Sequence, residues 1–355
     1  MQPTILITID VEDWFQVENF RPWIPFETWD QRELRVEQNT HKLLNLFDSI
    51  ELKAHCSKLK EANDLTLSTK PAPPPEATGQ IAEESMERSA ISYQLSAMSY
   101  EKSHPKVTFF ILGWIADKLP HLIREIHSRG HEVASHGFNH KLCSQLSDAE
   151  FKKDLIDSKK KLEDITGAPV AGYRAPNFSI NDDSLKLIED SGYLYDSSYN
   201  SFSLHGRYGK ASLNGSSKIG LTHKISDHFF ELPISNIHFK HPLSFEPSAL
   251  SAGQNTKRRF VLPFGGGAYF RLMPFPIFKL GVKKILSKES AYLFYIHPWE
   301  LDPEQPVVKN ASARFKFRHY SNLSKSLNKL IKFIDSFPKC QFITCSRYLS
   351  KFTCL

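Results

Sequence analysis

The chain has 355 residues, 41% of them hydrophobic, and a formal net charge of +6, which gives a pI of about 8.9 and allows one large core or two modest ones. Its basic residues alternate with apolar ones at helical spacing, as at residues 152–161 and 279–288, and no recognisable nucleic-acid motif accompanies them, so no nucleic-acid partner is expected. The five cysteines (Cys56, Cys143, Cys340, Cys345 and Cys354) share no regular spacing, which excludes a zinc knuckle or a disulfide framework, and no stretch approaches the ~20 apolar residues of a membrane span.

In chain order, the β-branched run at residues 5–9 reads as a buried strand. It has no basic flank and ends in acids, so it does not read as a signal peptide, and a cytoplasmic location is expected. Residues 52–104 carry a Pro-rich stretch followed by Ser, Glu and Ala with little periodicity. That composition cannot bury enough apolar surface to offset its ordering entropy, so a disordered insertion is expected, with a partner-docking arm as the functional alternative. Further strands are predicted at residues 107–112, 132–135, 230–234, 293–296 and 342–344. Helices are predicted at 114–128, 148–165, 182–191 and 323–336, the second opened by a capping box of Ser147 and Glu150. Strands alternating with helices point to a parallel sheet or barrel.

Two irregular stretches interrupt this pattern. One spans residues 201–221. The other holds Gly265, Gly266 and Gly267, but it lacks the Lys-Ser or Lys-Thr ending of a phosphate loop and has no visible strand-and-helix frame. A tight turn beside a cleft is expected there, with Tyr269 or Arg271 touching substrate.

The polar residues that could carry chemistry fall into separate clusters. Asp10, Glu12 and Asp13 follow the first strand, at a carboxyl end where parallel α/β folds collect ligands. His136 and His140, four apart, can face one centre on a helical turn, and with a carboxylate from another strand end they form a two-His, one-carboxylate set. Such a set leaves positions open for water and substrate, as a catalytic metal requires. Arg174 precedes a turn-forming Pro176, and a guanidinium beside a carboxylate keeps it ionised and oriented. His297 follows the predicted strand at 293–296 and is placed to donate a proton.

Taken in order, Asp10 to Asp13, then Thr108, Phe109, Phe110, Ile111, Leu112, Gly113 and Trp114, then His136 with His140, then Gly172 to Pro176, then Tyr295 to Pro298 resemble the polysaccharide deacetylases of the NodB-homology type. The stretch from Asp10 through Trp14 to Val17, with Glu300, Leu301, Asp302 and Pro303, resembles the subgroup linked to exosortases and exopolysaccharide clusters. The resemblance implies an α/β fold, a distorted (β/α)7 barrel, with residues 1–51 and 105–355 as one catalytic domain. It also implies a divalent metal, usually zinc. By position, Asp10 would be the general base, His136 and His140 metal ligands, Arg174 the orienter of Asp10, His297 the general acid and Asp196 a supporting acid. Where the widespread family pattern has a second Asp, this chain has Val11, so either Glu12 or Asp13 would complete the metal set.

The implied reaction is hydrolysis of N-acetyl groups on a hexosamine polymer. Trp23, Tyr269 and Trp299 would suit a sugar ring, and Arg271 and Pro176 complete the expected substrate contacts. Its rivals are a small-amide hydrolase of the same fold, as in allantoinase-like relatives, and a non-catalytic sugar-binding protein. A glycosidase using Asp10 and Glu12 would leave the His pair without a task.

Overall fold

The structure, a computed structural model, describes residues 2–50, 104–202, 208–239 and 260–352; the expected insertion lies outside the described residues, apart from His104. Residues 2–47 and 106–352 belong to one compact unit. Its strands and helices alternate from β1 (Thr4–Val11) and α1 (Val36–Ser49) through β2 (Thr108–Ile111), α2 (Gly113–Lys118), α3 (Pro120–Ser128) and β3 (Glu132–Ser135). The middle of the chain adds α4 (Asp148–Thr166), β4 (Gly172–Tyr173), α5 (Asp182–Asp190), β5 (Tyr195–Asp196), β6 (Ser217–Ile219), β7 (Thr222–Lys224) and β8 (Phe230–Glu231). The last third holds β9 (Asn236–Phe239), β10 (Phe260–Pro263), α6 (Gly267–Leu272), α7 (Phe275–Glu289), β11 (Ala291–Ile296), α8 (Ala313–Tyr320), α9 (Leu323–Asp335), β12 (Gln341–Phe342) and α10 (Cys345–Leu349).

Seven of these strands run parallel in the order β11, β1, β2, β3, β4, β5, β8, and the β6–β7 hairpin extends the edge antiparallel to β8. Hydrogen bonds bridge the interval between β8 and β11: Ser235 N–H donates to the Leu293 carbonyl (3.4 Å) and Tyr295 N–H to the Gly265 carbonyl (2.7 Å).

Strand alternation decides what fills this curled sheet. Leu6, Phe110, Ala134, Tyr195, Leu232 and Leu293 pack in one interior cluster. The opposite faces meet the helices: Phe294 packs on Phe270 of α6 (ring centroids 5.1 Å apart) and Phe333 of α9 (5.7 Å), and Tyr173 on Phe151 of α4 (6.1 Å). Strands covered on both faces must be apolar throughout, which is why residues 5–9 form a continuous run rather than an alternating one.

The inward parity then continues past the strand ends. Two residues beyond Ala134 comes His136, two beyond Gly172 comes Arg174, and two beyond Tyr295 comes His297, while Asp10 lies on the Leu6 side of β1. One end of the barrel is therefore closed by polar groups over an apolar interior.

Several boundaries depart from the predicted ones for local reasons. The helix expected over 114–128 breaks at Leu119 (φ −130°, ψ 55°), because Pro120 disfavours helical geometry in the residue before it. Strand β8 stops at Glu231, short of Pro233, which cannot donate to a ladder. Thr344 leaves its predicted strand to cap α10, accepting from Arg347 N–H. The Ser147–Glu150 capping box forms as expected. The glycine run does have the strand-and-helix frame that the sequence hid, β10 before it and the short α6 after it. Its glycines serve packing: a Cβ on Gly267 would sit 2.0 Å from Oε2 of Glu300, and one on Gly266 2.8 Å from the Tyr295 hydroxyl.

Leu293 is fully buried in the interior cluster. Leu293→Ala is expected to lower the unfolding free energy by about 2–5 kcal/mol, measured by denaturant titration.

Candidate active site at the barrel mouth

Glu12 stands at the centre of the polar end. Its Oε1 lies 2.9 Å from His136 Nε2 and 3.0 Å from His140 Nε2, and all three side chains are buried. Burial acts to raise the Glu12 pKa, but the charges of His140 and His297 and the hydrogen bonds from both imidazoles outweigh it and hold the carboxyl well below its usual range. His140 shows the converse: burial disfavours its charged form, and the Glu12 carboxylate more than restores it.

These three residues fit a divalent metal. Their ligand atoms lie within 4.8 Å of one another, and one carboxylate with two imidazoles is a donor set suited to zinc and its neighbours. The Arg174 carbonyl accepts from His136 Nδ1 at 2.7 Å, which fixes the tautomer and leaves Nε2 to face the cluster.

The His pair does not sit on a helical turn, as its spacing suggested. It spans a loop after β3 in which Gly137 (φ 73°) and His140 (φ 52°) both take left-handed geometry. Asp154 of α4 braces this loop by accepting from Phe138 N–H with both oxygens (3.1 and 3.2 Å), and burial pushes its pKa up to about 6 against that pull. A Cβ on Gly137 would stand 2.8 Å from the same carboxylate. Asp154 escaped sequence reasoning because it lies within an ordinary amphipathic helix pattern.

Asp13 is placed elsewhere. Its carboxylate accepts from the backbone N–H groups of Trp14 (2.8 Å), Arg35 (2.7 Å) and Val36 (2.8 Å), so it caps the start of α1 rather than joining the imidazoles. Arg35 in turn grips Asp302 through Nε (2.6 Å) and Nη2 (3.1 Å). The first and last motifs thereby meet in space.

Asp10 is buried beside the Glu12 cluster. Arg174 Nη1 donates to its Oδ1 at 2.6 Å, while Oδ2 lies 3.9 Å from His297 Nε2. Arg174 is itself fully buried and satisfied by Thr8 Oγ1 (2.7 Å), the Ser197 carbonyl (2.9 Å) and Ser197 Oγ (2.8 Å). Asp196 does not line the cavity. It accepts from Ser198 Oγ (2.6 Å), which accepts from Ala175 N–H (2.7 Å), so it steadies the strand end that carries Arg174. Burial raises the pKa of Asp196 and, further, that of its neighbour Glu231, a buried acid the sequence gave no reason to single out.

His297 faces Asp10 and Glu12 through Nε2 and donates from Nδ1 to Glu300 Oε2 (3.0 Å). Burial acts to lower its pKa, yet the Glu12 charge and the Glu300 hydrogen bond outweigh it and push the value up to about 9. Glu300 remains a carboxylate, at about 2, because the Arg271 and His297 partners overcome its burial. Arg271 belongs to this wall: Nε donates to Glu300 Oε1 (2.9 Å) and its other nitrogens to the Ser321 and Arg318 carbonyls. Trp299 stacks between His297 (5.0 Å, 23°) and His319 (4.1 Å, 11°).

Asp10, Glu12, His136, His140, His297, Trp299 and Arg271 line one cavity of about 100 Å³. Tyr269 lines an adjoining groove instead. Pro176 is buried and borders neither, but its neighbour Asn177 lines both, and the Asn177 amide nitrogen has no hydrogen-bond partner among the described residues. The sequence gives no signal for Asn177 beyond its place after Pro176; its left-handed backbone (φ 51°) appears only in the structure.

Comparison with known proteins agrees with this geometry. Residues 94–195 match the polysaccharide deacetylase family and residues 250–350 a domain of unknown function, DUF3473. A peptidoglycan deacetylase-like protein of Gibberella zeae is 39% identical over 94 residues, 26% of this chain and 28% of that protein. A peptidoglycan-N-acetylglucosamine deacetylase of Bacillus cereus is 33% identical over 88 residues, 25% of this chain and 41% of that one. The chain thus spans less than half the length of either curated relative. A Mycobacterium smegmatis crystal structure assigned to the polysaccharide deacetylases superposes with a TM-score of 0.50 at 17% identity, covering 99% of this chain and 91% of its own. The fold is the distorted (β/α)7 barrel of the NodB-homology type, and the family match and the relatives support the polysaccharide deacetylase family.

An imidazole must be neutral to ligate, and Glu12 favours the charged form of His140. Zinc affinity measured by calorimetry is therefore expected to fall between pH values of about 8 and about 6, with proton release on binding. Asp154→Ala is expected to weaken zinc binding at least about tenfold by loosening the His loop. Arg271→Gln removes the guanidinium partner of the buried Glu300 carboxylate and leaves it only His297, and a loss of about 3 kcal/mol or more is expected in denaturant unfolding.

Proposed function

We propose that this chain is a polysaccharide deacetylase, a metal-dependent hydrolase that removes N-acetyl groups from hexosamine residues of a glycan. The observation that carries the reading is the convergence, in one cavity, of the Glu12–His136–His140 cluster with a carboxylate held by Arg174 and an imidazole held by Glu300. The match of residues 94–195 to the polysaccharide deacetylase family supports the same reaction.

Glu12, His136 and His140 would hold the metal, with zinc as the ion their donor types favour. When bound, it polarises the acetyl carbonyl and lowers the pKa of water in the site. The chain's own residues then move two protons. Asp10, with Oδ1 fixed by Arg174, presents Oδ2 as the general base that takes the proton of the attacking water. His297 carries a proton near neutral pH, because Glu300 holds its Nδ1–H and the site is acidic. Its Nε2 delivers that proton to the departing amine, so acetate leaves and the sugar keeps a free amino group. Trp299 and His319, stacked behind His297, restrict the imidazole to this orientation.

The small cavity suits an acetamido group at its floor, with the sugar ring towards the adjoining groove. A place in exopolysaccharide biosynthesis rests on the motif from Asp10 to Val17 and the late Glu300 to Pro303 stretch. The pairing of Asp13 and Asp302 through Arg35, and of His297 with Glu300, gives those two motifs a common structural purpose.

Purified protein is expected to release acetate from N-acetylglucosamine oligomers, to lose that activity with chelator and to regain it with zinc; glycan retention without acetate release would instead indicate a binding protein. Asp10→Asn is expected to lower kcat by about a hundredfold or more with zinc still bound, since the substitution removes the base and no ligand. Undiminished turnover in that variant would refute the assignment.

A further inference from the structure

The groove next to the catalytic cavity differs from it in charge. Asp10, Glu12, Glu18 and Glu300 line the cavity together with Arg271 and Arg318, whereas Arg314 and Arg318 are the only charged residues lining the groove and no carboxylate borders it among the described residues. The two spaces are continuous, since Asn19, Asn177, Tyr208, Ala268 and Arg318 line both. The groove holds about 390 Å³, within the range of about 300–1,000 Å³ typical of small-ligand sites.

Its wall is built rather than incidental. Arg314 and Arg318 lie one helical turn apart on α8, where like charges destabilise a helix slightly unless an anion joins them. Helix α8 is capped by Ser312 and anchored by His319, which stacks on Trp299 and bonds to Gln305 (2.7 Å). The Arg318 guanidinium is hydrogen-bonded to Tyr208 and lies 5.7 Å from the Tyr269 ring centroid, so its position is set before any ligand arrives. Tyr269, Phe315 and Phe317 supply aromatic surface between the cations; Phe317 is 66% exposed, and Phe315 is braced by Trp23 (6.4 Å). Aromatic faces beside the held Arg318 guanidinium and the exposed Arg314 suit a sugar ring that stacks through its C–H face and carries a carboxylate.

We propose that this groove is a subsite for a carboxylated sugar residue next to the N-acetylhexosamine in the cavity, which makes the substrate an acidic glycan. The inference rests on the deacetylase reading for what occupies the cavity, but the groove's selectivity is measurable by itself. The carboxylate has two chemical sources, a uronic acid in the main chain or a lactyl ether on a hexosamine.

The test uses three oligosaccharide series of equal length on the zinc-loaded protein: neutral N-acetylglucosamine oligomers, N-acetylglucosamine alternating with glucuronate, and N-acetylglucosamine alternating with N-acetylmuramate. Binding is followed by calorimetry and hydrolysis by acetate release. At least one acidic series is expected to bind roughly fivefold to tenfold more tightly than the neutral one, with the advantage shrinking as salt is raised. Arg314→Gln is expected to remove most of that advantage and Arg314→Lys to restore part of it; the preferred series identifies the carboxylate source. Equal binding of neutral and acidic oligomers, or an advantage untouched by Arg314→Gln, overturns the subsite. Acetate release without charge preference overturns the subsite while upholding the hydrolase. Charge-selective binding without release from any series upholds the subsite and overturns the hydrolase.

Discussion

Arg174 carries a full positive charge with no access to water, and the mouth of the barrel is organised around satisfying it. Its guanidinium reaches Asp10 and Thr8 on β1 and Ser197 beyond β5, and lies 4.1 Å from the Phe110 ring centroid on β2. Its backbone N–H donates to Ser135 at the end of β3 (2.9 Å), and its carbonyl accepts from His136. One residue thus joins the proposed base, an imidazole of the proposed metal site and four neighbouring strands. A buried charge of this kind is tolerable only when its partners are fixed, and that requirement supplies the rigidity proton transfer needs.

The same logic repeats on the opposite side of the cavity. Arg271 neutralises Glu300, Glu300 holds Nδ1 of His297, and His297 faces the acids through Nε2. Asp10 and His297, proposed as base and acid, therefore stand 3.9 Å apart, each oriented by a partner of opposite charge. Their surroundings differ: Asp10 is bonded to a guanidinium, while His297 sits among carboxylates that favour its cation. The Glu12–His136–His140 cluster adjoins these two braced pairs, with Glu12 Oε1 3.8 Å from His297 Nε2, so a change at Arg174 or Arg271 reaches it through geometry as well as charge.

Charge also divides the surface into functions. The cavity carries four acids with Arg271 and Arg318, and the adjoining groove is basic and aromatic, so the proposed glycan, extending from one to the other, would meet two different fields. The groove draws on α8 and the α6 segment, within the part of the chain that matches a domain of unknown function, whereas His136, His140 and Arg174 come from the deacetylase-matched part. His297, Glu300 and Arg271 of the cavity wall also come from residues 250–350, so both matched parts meet at the barrel mouth.

The sequence by itself determined the alternation of strands and helices, the position of Asp10, His136, His140 and His297 after predicted strands, Arg174 as a candidate before a turn, and the capping box at Ser147. These are local signals: apolar runs, turn residues and short spacings survive in one dimension. It left Glu12 and Asp13 equivalent, because two acids one residue apart differ only in which way the backbone turns, and the fold sends one to the imidazoles and the other to the start of α1. Asp154, Glu231 and Asn177 lay hidden in ordinary helix, strand and turn contexts, and Arg271, read as a substrate contact, proved to be the partner of a buried glutamate. The two-residue strands β4 and β5 are too short to show periodicity and exist because neighbouring strands hold them. Tertiary structure alone decided these matters, since each depends on a partner distant in sequence and brought near by barrel closure.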